Sequence, residues 1–250
     1  MHHRSDPLIR DASVAADPRP DPWAARTAVR SGIGPPVLAA LVALVLAACS
    51  SAAAPSPSPS LAPAPGGTVT SSLFQPAVTA TLPSGWELAT DEASYLLLRP
   101  AGSETLGIHL FRDPQAASQD GSCPESPEPG VGTTSSELSA WIRELPGLSV
   151  SDPRLATVGG LRGTVLDLGI AKDWSASCPF ANGLPTVPLI VAPGGIRWVM
   201  AGGERLRLYL LDVPSGGTVA IDVDDFVGDQ IDTLIGESLS IIQSMSFATD

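Results

Sequence analysis

The stretch Arg205-Leu206-Arg207-Leu208-Tyr209-Leu210 decides the fold. Leucine alternates there with long polar or amphipathic side chains, so every second residue shares a face. That is the period of a β-strand and not of a helix. The same pattern recurs outward in both directions. Val78, Ala80 and Leu82 share a face, and a Pro83-Ser84-Gly85 turn follows. Trp86 to Ala89 and Tyr95 to Arg99 read as a hairpin. Leu106, Ile108 and Leu110 alternate, as do Leu166, Leu168 and Ile170; Ile196, Trp198 and Met200; and Val219, Ile221 and Val223. A short last strand is expected around Met245 to Phe247. Apolar residues on one face and polar ones on the other predict an antiparallel sheet covered on one side.

Two segments break this period. Thr134 and Glu137 have capping-box spacing, Leu138, Trp141, Ile142 and Leu145 follow at helical intervals, and Pro146-Gly147 ends the run. The second helix is expected to carry Val227, Ile231, Leu234, Ile235, Leu239 and Ile242 on its apolar stripe, with Asp224 or Asp225 as N-cap and Gly228 and Gly236 weakening it. Strand clusters separated by two amphipathic helices give the α+β class, an α/β sandwich with helices on one or both sides of an antiparallel sheet.

The 250 residues allow one domain comfortably. Twenty-four glycines and 25 prolines disfavour a helical bundle, and 26 acidic residues against 14 basic ones make nucleic acid a poor partner. Residues 1–25 are polar, without apolar period, and read as a disordered lead or a mis-assigned translation start. Residues 26–48 read as a signal peptide: Arg26 and Arg30 precede a 12-residue apolar run, Val37 to Ala48, too short to span a bilayer. The run ends Leu46-Ala47-Ala48-Cys49. This motif resembles the bacterial lipobox, which implies a mature chain beginning at a lipidated Cys49. The other reading is an uncleaved anchor from Ile33 to about Ala54. Both place the remainder outside the cytoplasm, at the extracytoplasmic face of a bacterial membrane. Residues 49–67, almost only Ser, Ala, Pro and Gly, form a tether with extended Ser-Pro repeats. Residues 68–250 form one globular domain. Its opening Leu82-Pro83-Ser84-Gly85-Trp86 and its order of elements resemble PsbP/Mog1-like domains, which occur in exported lipoproteins and share no catalytic machinery. The resemblance implies a binding or accessory domain.

With Cys49 assigned to lipid, Cys123 and Cys178 remain, and an even remainder in an exported chain suggests a disulfide. Two free thiols are the alternative; a zinc site is disfavoured because there is no CxxC. His109 is the one histidine after the signal, so any His-dependent hydrolysis must use it. Its position predicts a half-exposed sheet histidine. No nucleophile elbow, zinc-protease helix motif or phosphate loop is present, no catalytic or metal-binding residue is assigned, and no cofactor is called for. Asp222, Asp224, Asp225, Asp229 and Asp232 form the densest acidic stretch, which lacks the EF-hand pattern and reads as helix capping. Arg197, Arg205 and Arg207 suggest either an anion site or pairing with carboxylates. Trp174, near Cys178, is a candidate partner anchor if it is exposed.

The expected function is therefore that of a membrane-anchored, non-catalytic binding lipoprotein, acting on an envelope protein or cell-wall component. A carrier or sensor of a small apolar ligand, and an envelope hydrolase using His109 or a carboxylate pair, are the alternatives.

Overall fold

The computed structural model describes residues 66–249. The lead, the signal segment, Cys49 and the tether up to residue 65 lie outside the described residues. No helix among those described is long and apolar enough to cross a membrane.

The order along the chain is β1 (Gly67–Thr70), β2 (Val78–Leu82), β3 (Trp86–Asp91), β4 (Tyr95–Pro100), β5 (Leu106–Arg112), β6 (Gln115–Ala116), α1 (Ser135–Glu144), β7 (Leu148–Val150), β8 (Arg154–Val158), β9 (Leu161–Ile170), β10 (Thr186–Ala192), β11 (Ile196–Ala201), β12 (Arg205–Asp212), β13 (Thr218–Asp225), α2 (Ile231–Ser244) and β14 (Ser246–Phe247). A central antiparallel sheet has the order β3-β4-β5-β13-β12-β9-β7, with β8 also on β9. Two three-stranded sheets, β1-β2-β14 and β11-β10-β6, flank it. The class is α+β, as the alternation predicts.

Both faces of the central sheet are covered, which corrects the expectation of one open face. Ile108, Leu110, Leu211, Ile221 and Val223 pack with α2 and with β2 residues such as Val78 and Leu82. Phe111, Leu166, Leu206, Leu208 and Leu210 pack on the opposite side with α1 and with Val187, Trp198 and Met200 of the β10–β11 hairpin. β13 is buried along its whole length. The alternation of β13 therefore separates two interiors rather than core from water.

Local signals explain the ends. Trp86 N–H closes the 83–86 turn on Pro83 O at 3.2 Å, with Gly85 at φ 86° supplying the left-handed residue. The capping box of α1 forms as expected: Thr134 Oγ1 accepts from Glu137 N–H while the Glu137 carboxylate accepts from Thr134 N–H. Asp212 adds a support from β12, accepting from Ser135 N–H at 2.7 Å and from its hydroxyl at 2.6 Å. The second helix starts later than its apolar stripe suggests. Gln230 is the N-cap, so Val227 lies before the helix, 56% exposed, and Leu239 points outward. Asp225 is not the cap, but its carboxylate accepts from Val227 and Gln230 N–H and shapes the approach.

Cys123 and Cys178 are joined by a disulfide that closes a separation of 55 residues. It ties the 118–127 loop to the segment that leads into β10. Such a bond belongs to oxidising compartments.

Candidate functional site

The layer between the central sheet and β11 contains polar groups where apolar ones are expected. Strand pairing places them. His109 of β5 lies opposite Asp222 of β13, and Asp222 lies opposite Leu208 of β12. Asp224, two residues on, shares that face and lies opposite Gly107 and Leu206. Glu204 comes from the Gly202-Gly203-Glu204 turn between β11 and β12. All four are buried: His109 is 6% exposed, Asp222 0%, Asp224 3% and Glu204 1%.

The histidine is not half-exposed, because the face it occupies is roofed by β11. Its ring lies 4.5 Å, centroid to centroid, from Trp198, and Phe111 and Tyr95 complete an aromatic surround. Nδ1 is 2.8 Å from the Tyr95 hydroxyl, which fixes the ring so that Nε2 faces Asp224 Oδ2 at 3.9 Å. Gly107 is required here: a Cβ at that position would come within 2.8 Å of His109 Nε2.

The carboxyl groups crowd one another. Glu204 Oε2 accepts from Ala201 N–H at 2.9 Å, while its Oε1 meets no hydrogen-bond donor among the described residues. Burial, then the neighbouring Asp224 charge, push the Glu204 carboxyl well above the ordinary carboxylate range, against the opposing Ala201 hydrogen bond. Burial and Asp224 do the same to Asp222. Neither Asp222 oxygen meets a hydrogen-bond donor among the described residues. The arrangement can store or release protons. It does not gather three metal-ligating side chains around one point among the described residues.

The remaining sequence candidates separate from this cluster. Asp222 and Asp224 cap no helix; they are interior strand residues, and only Asp225 serves the start of α2. Asp232 sits in the first turn of α2, paired with Arg205 at 3.8 Å. No anion site is built from the arginines: Arg207 binds Asp167 at 2.6 and 3.1 Å, Arg154 shares that carboxylate, and Arg197 pairs with Glu125 at 3.0 Å over the Phe180 ring. Trp174 packs against the α1 side of the core and donates from Nε1 to Thr186 O at 2.8 Å, so it is a packing residue. A surface cleft of about 520 Å³ is lined by Ser149, Ser151, Asp167, Gly169 and Arg205 and by the 202–204 turn, so that Glu204 borders it.

Sequence reasoning reached His109, Asp222 and Asp224 but missed Glu204 and Tyr95. Glu204 reads as a solvated turn residue after two glycines. The signal available was the pair Asp222 and Asp224 in a strand that also carries Val219, Ala220, Ile221 and Val223.

Comparison with known proteins matches no family model and no curated protein. Among solved structures, the chain is similar to a protein of Bacteroides thetaiotaomicron (11% identity, TM-score 0.30, 69% of this chain and 46% of that one). It is also similar to LpqN, described as involved in cell envelope biogenesis of Mycobacterium tuberculosis (16%, TM-score 0.32, 68% and 82%), and to the cyanobacterial PsbP, CyanoP, of Synechocystis (11%, TM-score 0.35, 81% and 98%). The chain spans less than half the length of the first of these. The α+β architecture rests on this chain's own strand pairing, and no function is taken from these likenesses.

Proposed function

We propose that this chain is a lipid-anchored protein of the extracytoplasmic membrane face whose domain binds an envelope component and does not catalyse. The observation that carries the placement is the Cys123–Cys178 disulfide, which uses both cysteines other than the lipobox Cys49. A structural disulfide and a lipobox are independent signatures of export. Acylation with a second signal or chain holds a protein at a membrane, and a Ser/Pro tether sets the domain off that surface. The binding role is supported by the burial of His109, which is locked by Tyr95 and Trp198 rather than presented to a cleft. Metabolic labelling with palmitate tests the anchor. Label is expected in the wild-type chain and absent from Cys49→Ala; an unlabelled, intact chain in the cytosol overturns the placement. In-cell crosslinking from the 172–186 segment then identifies what the domain holds.

One observation favours a second reading, an envelope hydrolase. Burial, and then the neighbouring Asp224, push the Glu204 and Asp222 carboxyls well above the ordinary carboxylate range beside His109, and perturbed carboxyl groups of this kind recur at catalytic centres. Turnover of an esterase, peptidase or glycosidase substrate that is lost in His109→Ala supports it; a panel without turnover removes it.

A further inference from the structure

The face of the central sheet that packs with α2 is apolar at Val165 and Tyr209 and turns polar toward one end. Strand pairing sets out that end in two rows. Ser149, Gly169 and Arg205 lie abreast across β7, β9 and β12, and Ser151, Asp167 and Arg207 lie abreast beside them. The surface cleft of about 520 Å³ runs along these rows, with the 202–204 turn in its wall. Its volume falls in the range of small-molecule sites. Gly169 stands in the middle of its row without a backbone reason. Its φ is not positive, and a Cβ there would meet only Arg205 Cγ, at 3.8 Å. Gly163 of the same strand differs, because a Cβ there would collide with the Leu210 carbonyl. A glycine inside a strand weakens it, and one that sterics do not demand marks a place where a ligand approaches the backbone. We propose that the cleft floored by Gly169 binds a short, uncharged saccharide segment.

The polar groups along the rows select that class. Asp167 is held from two sides, by Arg207 at 2.6 and 3.1 Å and by Arg154 at 2.9 Å. A cation that came to this carboxylate would meet two guanidinium groups first. An anion fares no better, because Arg207 and Arg154 are already spent on Asp167. Arg205 is the one looser cation: its side chain is 52% exposed, and its partner Asp232, 3.8 Å away, is 88% exposed. Such a surface pair holds its members weakly, so Arg205 can turn to a ligand. Ser149 is exposed, and its hydroxyl can both donate and accept. Ser151 Oγ already accepts from Asp167 N–H at 2.9 Å, which fixes that corner of the floor. The cleft thus offers donors and acceptors side by side, with positive and negative charge balanced by internal pairing. Its complement is a ligand that also donates and accepts at neighbouring positions and carries no net charge, which describes the hydroxyl groups of a sugar ring. The bare Gly169 backbone lets that ring lie flat between Ser149 and Arg205.

This site deepens the envelope-binding reading and rests on it for its physiological ligand, but it is tested on the purified chain, so the two fail separately. Saccharide binding by a chain that palmitate does not label leaves the site standing and removes the placement; a crosslinked envelope partner without saccharide binding does the reverse. Maltotriose, cellotriose and the trimer of N-acetylglucosamine are titrated in turn and followed by amide NMR, with inorganic phosphate as the anionic control. At least one trisaccharide is expected to shift the Ser149, Gly169, Gly203 and Arg205 amides saturably and to leave those of Ile241 and Ser246 in place. Gly169→Leu fills the floor, where a Cβ has room, and is expected to weaken that binding by about tenfold or more at an unchanged melting temperature. Ser149→Tyr blocks the same row from the neighbouring strand and serves if Gly169→Leu does not fold. Arg205→Gln is expected to weaken binding less, since it removes one donor group and leaves the shape. No shift with any of the three trisaccharides, shifts centred elsewhere, binding that survives a folded Gly169→Leu or Ser149→Tyr, or phosphate shifting the same amides in place of sugar overturns the proposal.

Discussion

Asp222 lies directly opposite His109 across the β5–β13 ladder, and both side chains are buried. The pairing places an acid and a base on one interior face, yet the histidine turns to Tyr95 and Asp224, leaving the Asp222 oxygens without a donor. An unmet buried carboxyl costs free energy in either charge state, and more when ionised. The domain therefore tolerates a local destabilisation at the centre of its best-packed strand. Such a cost is more readily understood where the group is used than where it is merely packed.

Removing that cost has a predictable sign. The Glu204 and Asp222 carboxyls titrate well above their unfolded values, because burial and then Asp224 disfavour their charged forms. In the range between unfolded and folded values the folded state binds more protons. Their contribution is then fully present below the unfolded value, near pH 4, and is lost as pH rises toward the folded value. Asp222→Asn is expected to raise stability at neutral pH by on the order of 1 kcal/mol and to flatten the dependence. Thermal melts of both proteins across that range check it; a variant less stable at neutral pH with an unchanged slope refutes the assignment.

The fold was legible where one face met the core and the other carried long polar side chains, as in β12, and where a motif closes locally, as in Thr134 and Glu137. It was illegible where burial on both faces leaves no alternation to read. β10, Thr186–Ala192, has a continuous apolar run interrupted by Pro188, where the pairing with β11 shifts register, so neither alternation nor helix period marks it. β8 misleads in the opposite sense, since Leu155 is 94% exposed. Glu204 escaped for a different reason: it is buried although it sits in a glycine turn, and local pattern does not report which distant strand covers a turn.

The disulfide supplies a second prediction. A closed loop of this length contributes about 4 kcal/mol through loss of chain entropy in the unfolded state. Cys123→Ser with Cys178→Ser is expected to lower unfolding free energy by up to about that amount and to remove the sensitivity of the melting temperature to reductant. Thiol titration of the unfolded, unreduced chain provides the direct check. Two reactive thiols besides Cys49 would be incompatible with the bond.

Asp91 anchors the loop between β1 and β2. Its carboxylate accepts from Ser72 N–H at 2.6 Å, Ser72 hydroxyl at 2.8 Å and Phe74 N–H at 3.0 Å, with Leu73 N–H at 3.3 Å. Burial pushes this carboxyl up, but the hydrogen bonds from Ser72, Phe74 and Leu73 together hold it below its ordinary value. The stabilisation is therefore present above the unfolded value and lost as pH falls through the folded one. Asp91→Ala is expected to cost about 1–3 kcal/mol, as several amide donors lose their acceptor. Denaturant titration reads the loss, and exchange at the Phe74 amide shows whether it is local to this loop.

Asp212 and Ser135 give the last test, because they join α1 to the end of β12 over a long sequence separation. The carboxylate takes both the backbone N–H and the hydroxyl of Ser135, the first residue of the helix, where a negative charge also meets the positive end of the helix dipole. Thr134 and Glu137 satisfy neighbouring groups, so removing Asp212 is expected to loosen the helix's seat on the sheet rather than unwind it. Asp212→Ala is predicted to lose about 1–2 kcal/mol, and Asp212→Asn, which keeps an acceptor but not the charge, roughly half of that. Equilibrium unfolding of the two variants separates the hydrogen bond from the charge. If Asp212→Asn loses as much as Asp212→Ala, the charge carries the contact; if neither loses anything, the capping box alone holds the N-terminus of α1.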